Sequence, residues 1–396
     1  MTRQVFVVGA GAHAWGKWPD ETGLTLGISA VTAALTDAGL EWGDAEGLVA
    51  ASSRFGGGLG WGLHANELLQ AVGERPIPCV NVGGACAAGA IAFQTAWSMV
   101  ASGAQDIVVA VGAERMPKGF ITRPPGGADD LSDQDYLRWA AMGATNPAYW
   151  SLEARRRMHD HATTEDSFAR AALLMRENAA GNMRARFRKP ITIDEIAASP
   201  MVADPLRLLE ICAVSDGGAA VVLASEAVAR RASAPIRVAG CAIATGAFGD
   251  PARRIPNIAS TVRPGVPHTA EVVTAVERAR AMAGITPAQI DVLEIADNTA
   301  WHLLAWPEML GFCAPGDADR LLAEGAFSRA GELALNPSGG FLSFGEATTA
   351  QALLQICELT WQLRGEAEGH QVVGATIGQT AVLGLGGNGG SVVLSA

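Results

Sequence analysis

The sequence predicts a duplicated α/β fold, and three observations support this prediction. The chain has 396 residues, of which 49% are hydrophobic and only 17% charged, so it can bury a large core. Most of its 47 glycines lie at the ends of apolar runs, as expected for tight turns between strands and helices. A long-period internal repeat indicates two equivalent α/β halves, which we expect at residues 1–230 and 231–396.

The repeat is visible in two pairs of segments. Helical patterns at residues 26–39 and 272–284 each end in glycine, and a turn and an apolar run follow at 47–50 and 292–295. Glycine in that position predicts a left-handed helix cap in both copies. The second pair consists of NVGG at residues 81–84 and NPSGG at residues 336–340.

Strand-like segments close each half. In the first half they are residues 106–112 and 218–223, and in the second half residues 381–385 and 391–394. Apart from Asp106 and Ser391 at their starts, these runs are apolar, which is typical of strands that helices cover on both faces.

The stretch from about residue 115 to residue 205 differs in composition from its surroundings. It contains many arginines and amphipathic helical patterns such as residues 165–181. We interpret it as a loop domain inserted into the first half. Its arginines fit solvated helix faces, or in one or two cases a contact with the phosphates of a nucleotide-bearing substrate.

Charge and cysteine usage exclude several classes of protein. The net charge of −11 argues against a general nucleic-acid binder, which needs a basic face. No apolar run is long enough to span a bilayer, and the start of the chain reads as a strand and not as a signal peptide. The six cysteines include no C-x-x-C pair, which favours free thiols in the cytoplasm, and we predict no metal site.

Cys86 is the best candidate for a nucleophile. It lies in the segment GGACAAGA (residues 83–90), between a predicted strand at 79–82 and a predicted helix at 87–101. Such a strand-to-helix turn can present a nucleophile, and the positive end of the helix dipole favours a thiolate. The alternative is a buried and inert cysteine. The other five cysteines lie in ordinary apolar or helical contexts, where an inert thiol is expected.

Four segments, in the right order, resemble thiolases, particularly the branch of the sterol-carrier-protein thiolases and lipid-transfer proteins. They are residues 81–116 around Cys86, 215–220 (SDGGAA), 336–346 (NPSGGFLSFGE) and 384–390 (GLGGNGG). The resemblance implies a five-layer αβαβα fold and a homodimer. It also implies an acyl-CoA substrate, with coenzyme A as substrate or product and no permanently bound cofactor. A small partner subunit with an OB-fold and a zinc ribbon is a further implication for this branch.

Only the first cysteine of the usual thiolase set is present. The family's Gly-His-Pro histidine is replaced by Glu346, and the second cysteine of the terminal loop corresponds to Gly384. In the strand-end motif, Ala296 stands where asparagine or histidine is usual. The usual route of proton transfer therefore cannot be assumed.

Four other residues are candidates for the missing roles. Glu346 is either a base for Cys86, if burial raises its pKa, or a cap for a helix beginning near Ala347. Asn298 is a candidate for orienting a water and His302 for proton transfer, since both would share one face of a helix beginning there. The alternative for His302 is a packed or surface histidine. The resemblance assigns Gly386 a backbone N–H that points at an oxyanion.

These observations favour a thiolase-type acyltransferase that makes or breaks a C–C bond next to a CoA thioester. It would act through an acyl-cysteine at Cys86, on a bulky, aromatic or steroid-like acyl group. One alternative is a retro-aldolase that acts on a β-hydroxyacyl-CoA with a partner subunit. That branch uses tyrosines, and Tyr136 and Tyr149 both lie in the insertion, which argues against a close match. The other alternative is a non-catalytic protein that binds acyl-CoA or lipid.

Overall fold

A computed structural model describes residues 3–52, 62–116, 146–245, 271–384 and 387–396. Its strands, in chain order, are β1 (Val5–Ala12), β2 (Gly47–Ser52), β3 (Cys79–Gly83), β4 (Ile107–Arg115), β5 (Met201–Ala203), β6 (Leu206–Arg207), β7 (Asp216–Ser225), β8 (Ile236–Thr245), β9 (Val292–Ile295), β10 (Ala334–Leu335), β11 (Ile377–Gly384) and β12 (Asn388–Ser395).

The helices follow the same order. They are α1 (Gly23–Ala38), α2 (Ala65–Val72), α3 (Ala88–Ala101), α4 (Asn146–His161), α5 (Glu165–Ala179), α6 (Ile193–Ala197), α7 (Glu226–Ala229), α8 (Glu271–Ala283), α9 (Ala300–Met309), α10 (Ala318–Ala323), α11 (Gly340–Phe344) and α12 (Gln351–Arg364).

The duplication is visible in the order and direction of the strands. Within the described residues, ten strands form one sheet with the order β10-β9-β11-β12-β8-β1-β7-β4-β2-β3. Outward from the central β8–β1 pair, β8-β12-β11-β9-β10 mirrors β1-β7-β4-β2-β3. In each half the first two neighbouring pairs are antiparallel and the last two are parallel. The predicted duplication of one α/β unit is therefore confirmed.

Helices lie on both faces of each half, which gives the predicted five layers. Helix α1 packs on β1, β4 and β7, and α8 packs on β8, β11 and β12. Helices α3 and α12 pack against each other and against strands of both halves, so they form the central layer. In β12, a Cβ on Gly389 would meet Glu271 of α8, whereas one on Gly390 would meet Ala90 of α3. Successive residues of this strand thus face the outer and the central helices.

The glycine caps predicted from the repeat are confirmed. Gly39 ends α1 with φ 66° and ψ 29°, and Gly284 follows α8 with φ 70°. Both backbone conformations are left-handed, which glycine adopts without the steric penalty of a Cβ.

The segment between β4 and β7 leaves the main sheet, although these two strands are neighbours in it. It carries α4, α5, α6 and the separate two-stranded sheet β5–β6, and it packs against α9 and α11 of the second half. The boundaries predicted for the insertion and the two halves stay predictions. Arg157 differs from a solvated arginine, because it is buried and donates to Glu308 and Asp319.

All six cysteines lie in the described part of the chain and are free thiols, as predicted. No helix of the described residues is long and apolar enough to cross a membrane.

Candidate active site

Cys86 lies in a strained turn between β3 and α3. Ala85 has φ 49°, a left-handed conformation that is uncommon for a residue with a side chain. Residues Ala85–Ala87 form a 3₁₀ turn, and α3 begins directly after it. The Cys86 side chain is buried, with 6% of its surface exposed. The predicted strand–turn–helix arrangement around this thiol is present.

The Glu346 side chain lies directly against the Cys86 thiol. Cys86 Sγ donates to Glu346 Oε1 at 3.1 Å, although 260 residues separate the two in the chain. The Glu346 backbone is fixed on both sides, since its N–H donates to Ala213 O (2.7 Å) and its carbonyl accepts from Ser215 N (2.8 Å). The site therefore holds the carboxylate and the thiol in one defined pairing.

The expectation that a helix begins near Ala347 is wrong. Helix α12 begins at Gln351, because the preceding turn is held in another way. Glu114, at the end of β4, accepts from the backbone N–H of Thr349 at 3.2 Å and from the hydroxyl of Thr348. Glu346 is thus not the cap of a helix at this position.

Burial gives Glu346 a pKa suited to proton transfer near neutral pH. Desolvation is the largest cause of a pKa raised to about 7, and the charge of Glu114 raises it further. The hydrogen bond from Cys86 and the amide of Asn298 oppose this rise. A carboxyl group with such a pKa exchanges protons readily at neutral pH.

A second thiol, Cys212, faces the other oxygen of the same carboxylate. Its Sγ lies 3.9 Å from Glu346 Oε2, and Asn298 Nδ2 lies 3.7 Å from the same sulfur. Desolvation, followed by the charge of Glu346, raises the pKa of Cys212 well above its usual value. The prediction of an ordinary apolar context for Cys212 is therefore wrong.

Asn298 is in the site, but it is not on a helix. Thr299 is extended (φ −146°, ψ 166°), and α9 begins only at Ala300. The expectation that Asn298 and His302 share one helix face is therefore wrong. The Asn298 carbonyl accepts from Cys212 N at 2.9 Å, which ties the two residues together through the backbone.

His302 lies in an aromatic cluster. Its Nδ1 accepts from Thr299 N at 3.1 Å, and Trp150, Trp301 and Trp306 surround the ring edge-on. Burial lowers the pKa of His302 to about 3, so the ring is neutral. These contacts are those of a packed histidine that caps α9, which was the alternative for this residue.

The terminal loop approaches the Cys86 turn closely. A Cβ on Gly384 would lie 2.3 Å from Gly84 O and 2.9 Å from Ala87 N. Position 384 therefore has no room for a cysteine side chain in this packing. Gly386 lies outside the described residues, and its backbone N–H stays a prediction.

Asp297 positions the segment that carries Glu346. It is fully buried and accepts from Phe341 N at 2.6 Å and Leu342 N at 3.3 Å, at the start of α11. Helix α11 leads directly into Gly345 and Glu346. The end of β9 thereby fixes where the Glu346 carboxylate stands.

The reasoning from sequence missed Cys212 and Glu114 as neighbours of Glu346. Glu114 is the next-to-last residue of the apolar strand β4, and a charge near the end of a buried strand is a signal that could have singled it out. The position of Cys212 depends on bridges from Ile211 to Thr299 and from Val214 to Glu346. No pattern local to Cys212 encodes those pairings.

The family of the chain follows from its match to two family models. Residues 5–227 match the model described as "Thiolase, N-terminal domain", and residues 258–395 match "Thiolase C-terminal domain-like". The chain belongs to the thiolase family.

Individual relatives cover almost the whole chain. An acetyl-CoA acetyltransferase of Methanothermobacter thermautotrophicus is 34% identical over 99% of this chain and 98% of its own length. Sterol carrier protein 2 of Gallus gallus is 31% identical over 98% of this chain and 71% of its own length. The benzoylsuccinyl-CoA thiolase subunit BbsB of Thauera aromatica is 27% identical over 94% and 92%.

A solved structure titled "Ltp2-ChsH2(DUF35) aldolase" has the same fold. It superposes with a TM-score of 0.83 at 29% identity, and the match covers 99% of this chain and 98% of that one. The predicted resemblance to thiolases, including the branch of sterol carrier proteins and lipid-transfer proteins, is confirmed.

Proposed function

We propose that this chain is a thiolase-type acyltransferase that makes or breaks a C–C bond next to the carbonyl of a CoA thioester. The observation that carries the proposal is the buried pair formed by Cys86 and Glu346, with 3.1 Å between the thiol and the carboxylate. The thiol supplies the nucleophile, and the carboxylate is a base whose pKa of about 7 matches neutral pH.

The reaction would begin when Glu346 accepts the proton of Cys86. The thiolate then attacks the keto carbon of a 3-ketoacyl-CoA, and the bond from that carbon to C2 breaks. C2 takes up a proton in place of the one lost by Cys86, which leaves an acyl-cysteine, a shortened acyl-CoA and an ionised Glu346. A CoA thiol finally takes the acyl group, and Glu346 receives the proton of that thiol and returns it to Cys86. Coenzyme A is thus substrate or product, and no resident cofactor takes part. In this proposal the side-chain amide of Asn298 is a hydrogen-bond donor beside the Glu346 carboxylate.

Two observations support a bulky or aromatic acyl group, and a third supports a partner subunit. The replacement of the family histidine by Glu346 indicates chemistry that differs from that of the small-substrate enzymes. A relative named benzoylsuccinyl-CoA thiolase subunit acts on an aromatic acyl-CoA by its name. The aldolase structure pairs two named components, which favours a partner subunit here, and the resemblance also favours a homodimer.

Intact-protein mass spectrometry tests the acyl-cysteine. The protein is incubated with acetyl-CoA, propionyl-CoA and benzoyl-CoA, as wild type, Cys86→Ala and Cys241→Ala. Cys241 is a buried cysteine of β8 and serves as the matched control. We expect a mass increase of one acyl group in the wild type and in Cys241→Ala, and none in Cys86→Ala. An adduct that persists in Cys86→Ala would contradict the proposal.

A retro-aldolase acting on a β-hydroxyacyl-CoA is the second candidate, because the aldolase structure matches nearly the full chain at 29% identity. That reaction needs a base and a stabilised enolate, but no acyl-cysteine. Cleavage of a β-hydroxyacyl-CoA that is undiminished in Cys86→Ala would favour this candidate over the first. Binding of acyl-CoA with neither adduct nor cleavage would favour the non-catalytic alternative.

A further inference from the structure

We infer that Cys212 is a second catalytic thiol, which transfers a proton to the carbon released when the C–C bond breaks. This inference rests on the proposed function and assigns a further residue of the same site. Its basis is that one carboxylate, Glu346, faces a different thiol with each of its oxygens.

The position of Cys212 is fixed by backbone pairing on both sides. Ile211 bridges to Thr299, Cys212 N donates to Asn298 O, and Val214 bridges to Glu346. Arg186 adds a further constraint, because its guanidinium donates to Val214 O at 2.7 Å. The backbone that carries the Cys212 thiol is therefore fixed relative to Asn298 and Glu346.

The reaction moves one proton off Cys86 and one proton onto C2, close to one carboxylate. When the Cys86 sulfur bonds to the keto carbon, the bond between that carbon and C2 breaks, and its electron pair remains on C2. C2 must then gain a proton. Among the described side chains that contact Glu346, Cys86 is consumed as the nucleophile, and the amides of Asn298 and Gln351 have no acidic proton. Cys212 is the remaining S–H.

The protons balance along this path. Cys86 loses its proton to Glu346, Cys212 gives its own proton to C2, and Glu346 then reprotonates the Cys212 thiolate. The net result is that Cys86 loses one proton and C2 gains one, and the step needs no oxidant or metal. Burial, which raises the pKa of Cys212, keeps this thiol protonated until a strongly basic carbanion forms next to it.

Position 384 cannot supply this thiol. A side chain there would meet the backbone of the Cys86 turn at 2.3 Å, so the terminal loop has room only for glycine. The structure instead places a thiol from the segment before β7 at the opposite oxygen of Glu346.

Hydrogen exchange at C2 separates this role from acylation of Cys86. Wild type, Cys212→Ala, Cys212→Ser and Cys241→Ala are each incubated in D₂O with acetyl-CoA and with propionyl-CoA. Mass spectrometry follows the acyl adduct on the protein and the deuterium at C2 of the thioester. We expect both Cys212 variants still to form the acyl adduct on Cys86, but to exchange deuterium at C2 about 100-fold more slowly than the wild type, or slower still. Cys241→Ala should match the wild type in both.

The acyl adduct also reports that a variant is folded, and Cys212→Ser covers the case in which alanine leaves a destabilising cavity. Exchange at the wild-type rate in an acylated Cys212 variant would overturn the inference and leave Glu346 to protonate C2 alone. Loss of acylation in a folded Cys212 variant, or a wild type that acylates without any exchange, would overturn it as well. A wild type that never acylates would instead contradict the proposed function, and the inference with it.

Discussion

Burial of Glu346 has a thermodynamic cost that depends on pH. Its pKa in the folded protein is about 7, above the ordinary value of 4.5, so the folded state holds this proton more tightly than the unfolded chain. Below about pH 4.5 the carboxyl group is protonated in both the folded and the unfolded state, so its burial costs no ionisation energy. As the pH rises through 7, the protein loses stability, because the unfolded chain ionises more easily.

Glu346→Gln should remove this loss, since the amide is a neutral isostere of the protonated acid. We expect the variant to differ little from wild type in stability at pH 5 and to be more stable at pH 8, by up to about 3 kcal/mol. Melting temperatures of both proteins from pH 5 to pH 8 test this. Glu226→Gln, at an exposed ion pair, is the control and should show the same small difference at every pH. A constant difference between Glu346→Gln and wild type would contradict the assigned burial.

Single residues were predictable from sequence where the signal is local. The segment around Cys86 predicts a strand-to-helix turn, and the structure has that turn with Ala85 at φ 49°. The sequence left open whether Glu346 pairs with Cys86, because 260 residues separate the two in the chain. Cys212 was missed for the same reason, and His302 was ambiguous until its three tryptophan neighbours were placed.

At the scale of elements, the turn between α11 and α12 depends on Gly345. Its φ of 80° and ψ of 179° fall in a region that is open almost only to glycine. A Cβ there would also meet Ser215 Oγ at 2.2 Å and Ala213 O at 2.7 Å. Because Glu346 is the next residue, a shift of this turn moves the carboxylate away from Cys86.

Gly345→Ala should therefore destabilise the protein by about 3 kcal/mol and slow the acylation of Cys86. The matched control is Gly39→Ala, where φ is also positive (66°) but no atom lies within 4 Å of the new Cβ. This control should cost only about 1 kcal/mol and leave acylation unchanged. Denaturant unfolding and the acylation rate test both variants, and equal losses of stability in the two would show that crowding at Gly345 is unimportant.

Strands and helices with a regular hydrophobic pattern or a glycine at their end were predictable from the sequence. The irregular connections between them were not. The strands predicted at 106–112 and 218–223 correspond to β4 and β7 within a few residues, and the helix predicted at 272–284 corresponds to α8. The helix expected at Asn298 begins only at Ala300, because Thr299 is extended. The helix expected near Ala347 begins later, because Glu114 accepts hydrogen bonds from Thr348 and Thr349 in the preceding turn. Those causes are contacts between distant segments.

At the scale of the whole molecule, a buried arginine joins the two halves. Arg364, at the end of α12, donates to Asp37 Oδ2 of α1 (2.7 Å), Val8 O of β1 (2.9 Å) and Ala234 O (2.7 Å). Only 3% of its side chain is exposed. Its loss would leave two backbone carbonyls and a carboxylate without this cation.

Arg364→Met, which keeps the bulk of the aliphatic stem, should lower the free energy of unfolding by about 2–4 kcal/mol. Arg230→Met is the control, because Arg230 pairs with Glu226 on the surface with 75% of its side chain exposed. That variant should change stability by less than about 0.5 kcal/mol. Denaturant unfolding compares the two, and an Arg364→Met protein as stable as its control would contradict a structural role for this contact.

The architecture as a whole was predictable because duplication leaves two copies of each signal. Paired glycine caps and paired apolar runs predicted two equivalent halves, and the mirrored strand order shows them. How the halves meet was not predictable from composition. The β1–β8 pairing and the central helices α3 and α12 bring residues of both halves to one site.

If Glu346 is the base that activates Cys86, the rate of acyl-enzyme formation must follow the ionisation of this carboxyl group, so its pH dependence reports the role of Glu346. Rapid-quench mass spectrometry would follow the acylation of Cys86 from pH 5 to pH 9 in wild type and in Glu346→Gln. We expect a wild-type rate that rises with an apparent pKa near 7, and a Glu346→Gln rate that is about 100-fold lower at pH 7.5 and lacks this rise. The same rates and the same pH profile in both proteins would contradict this role of Glu346.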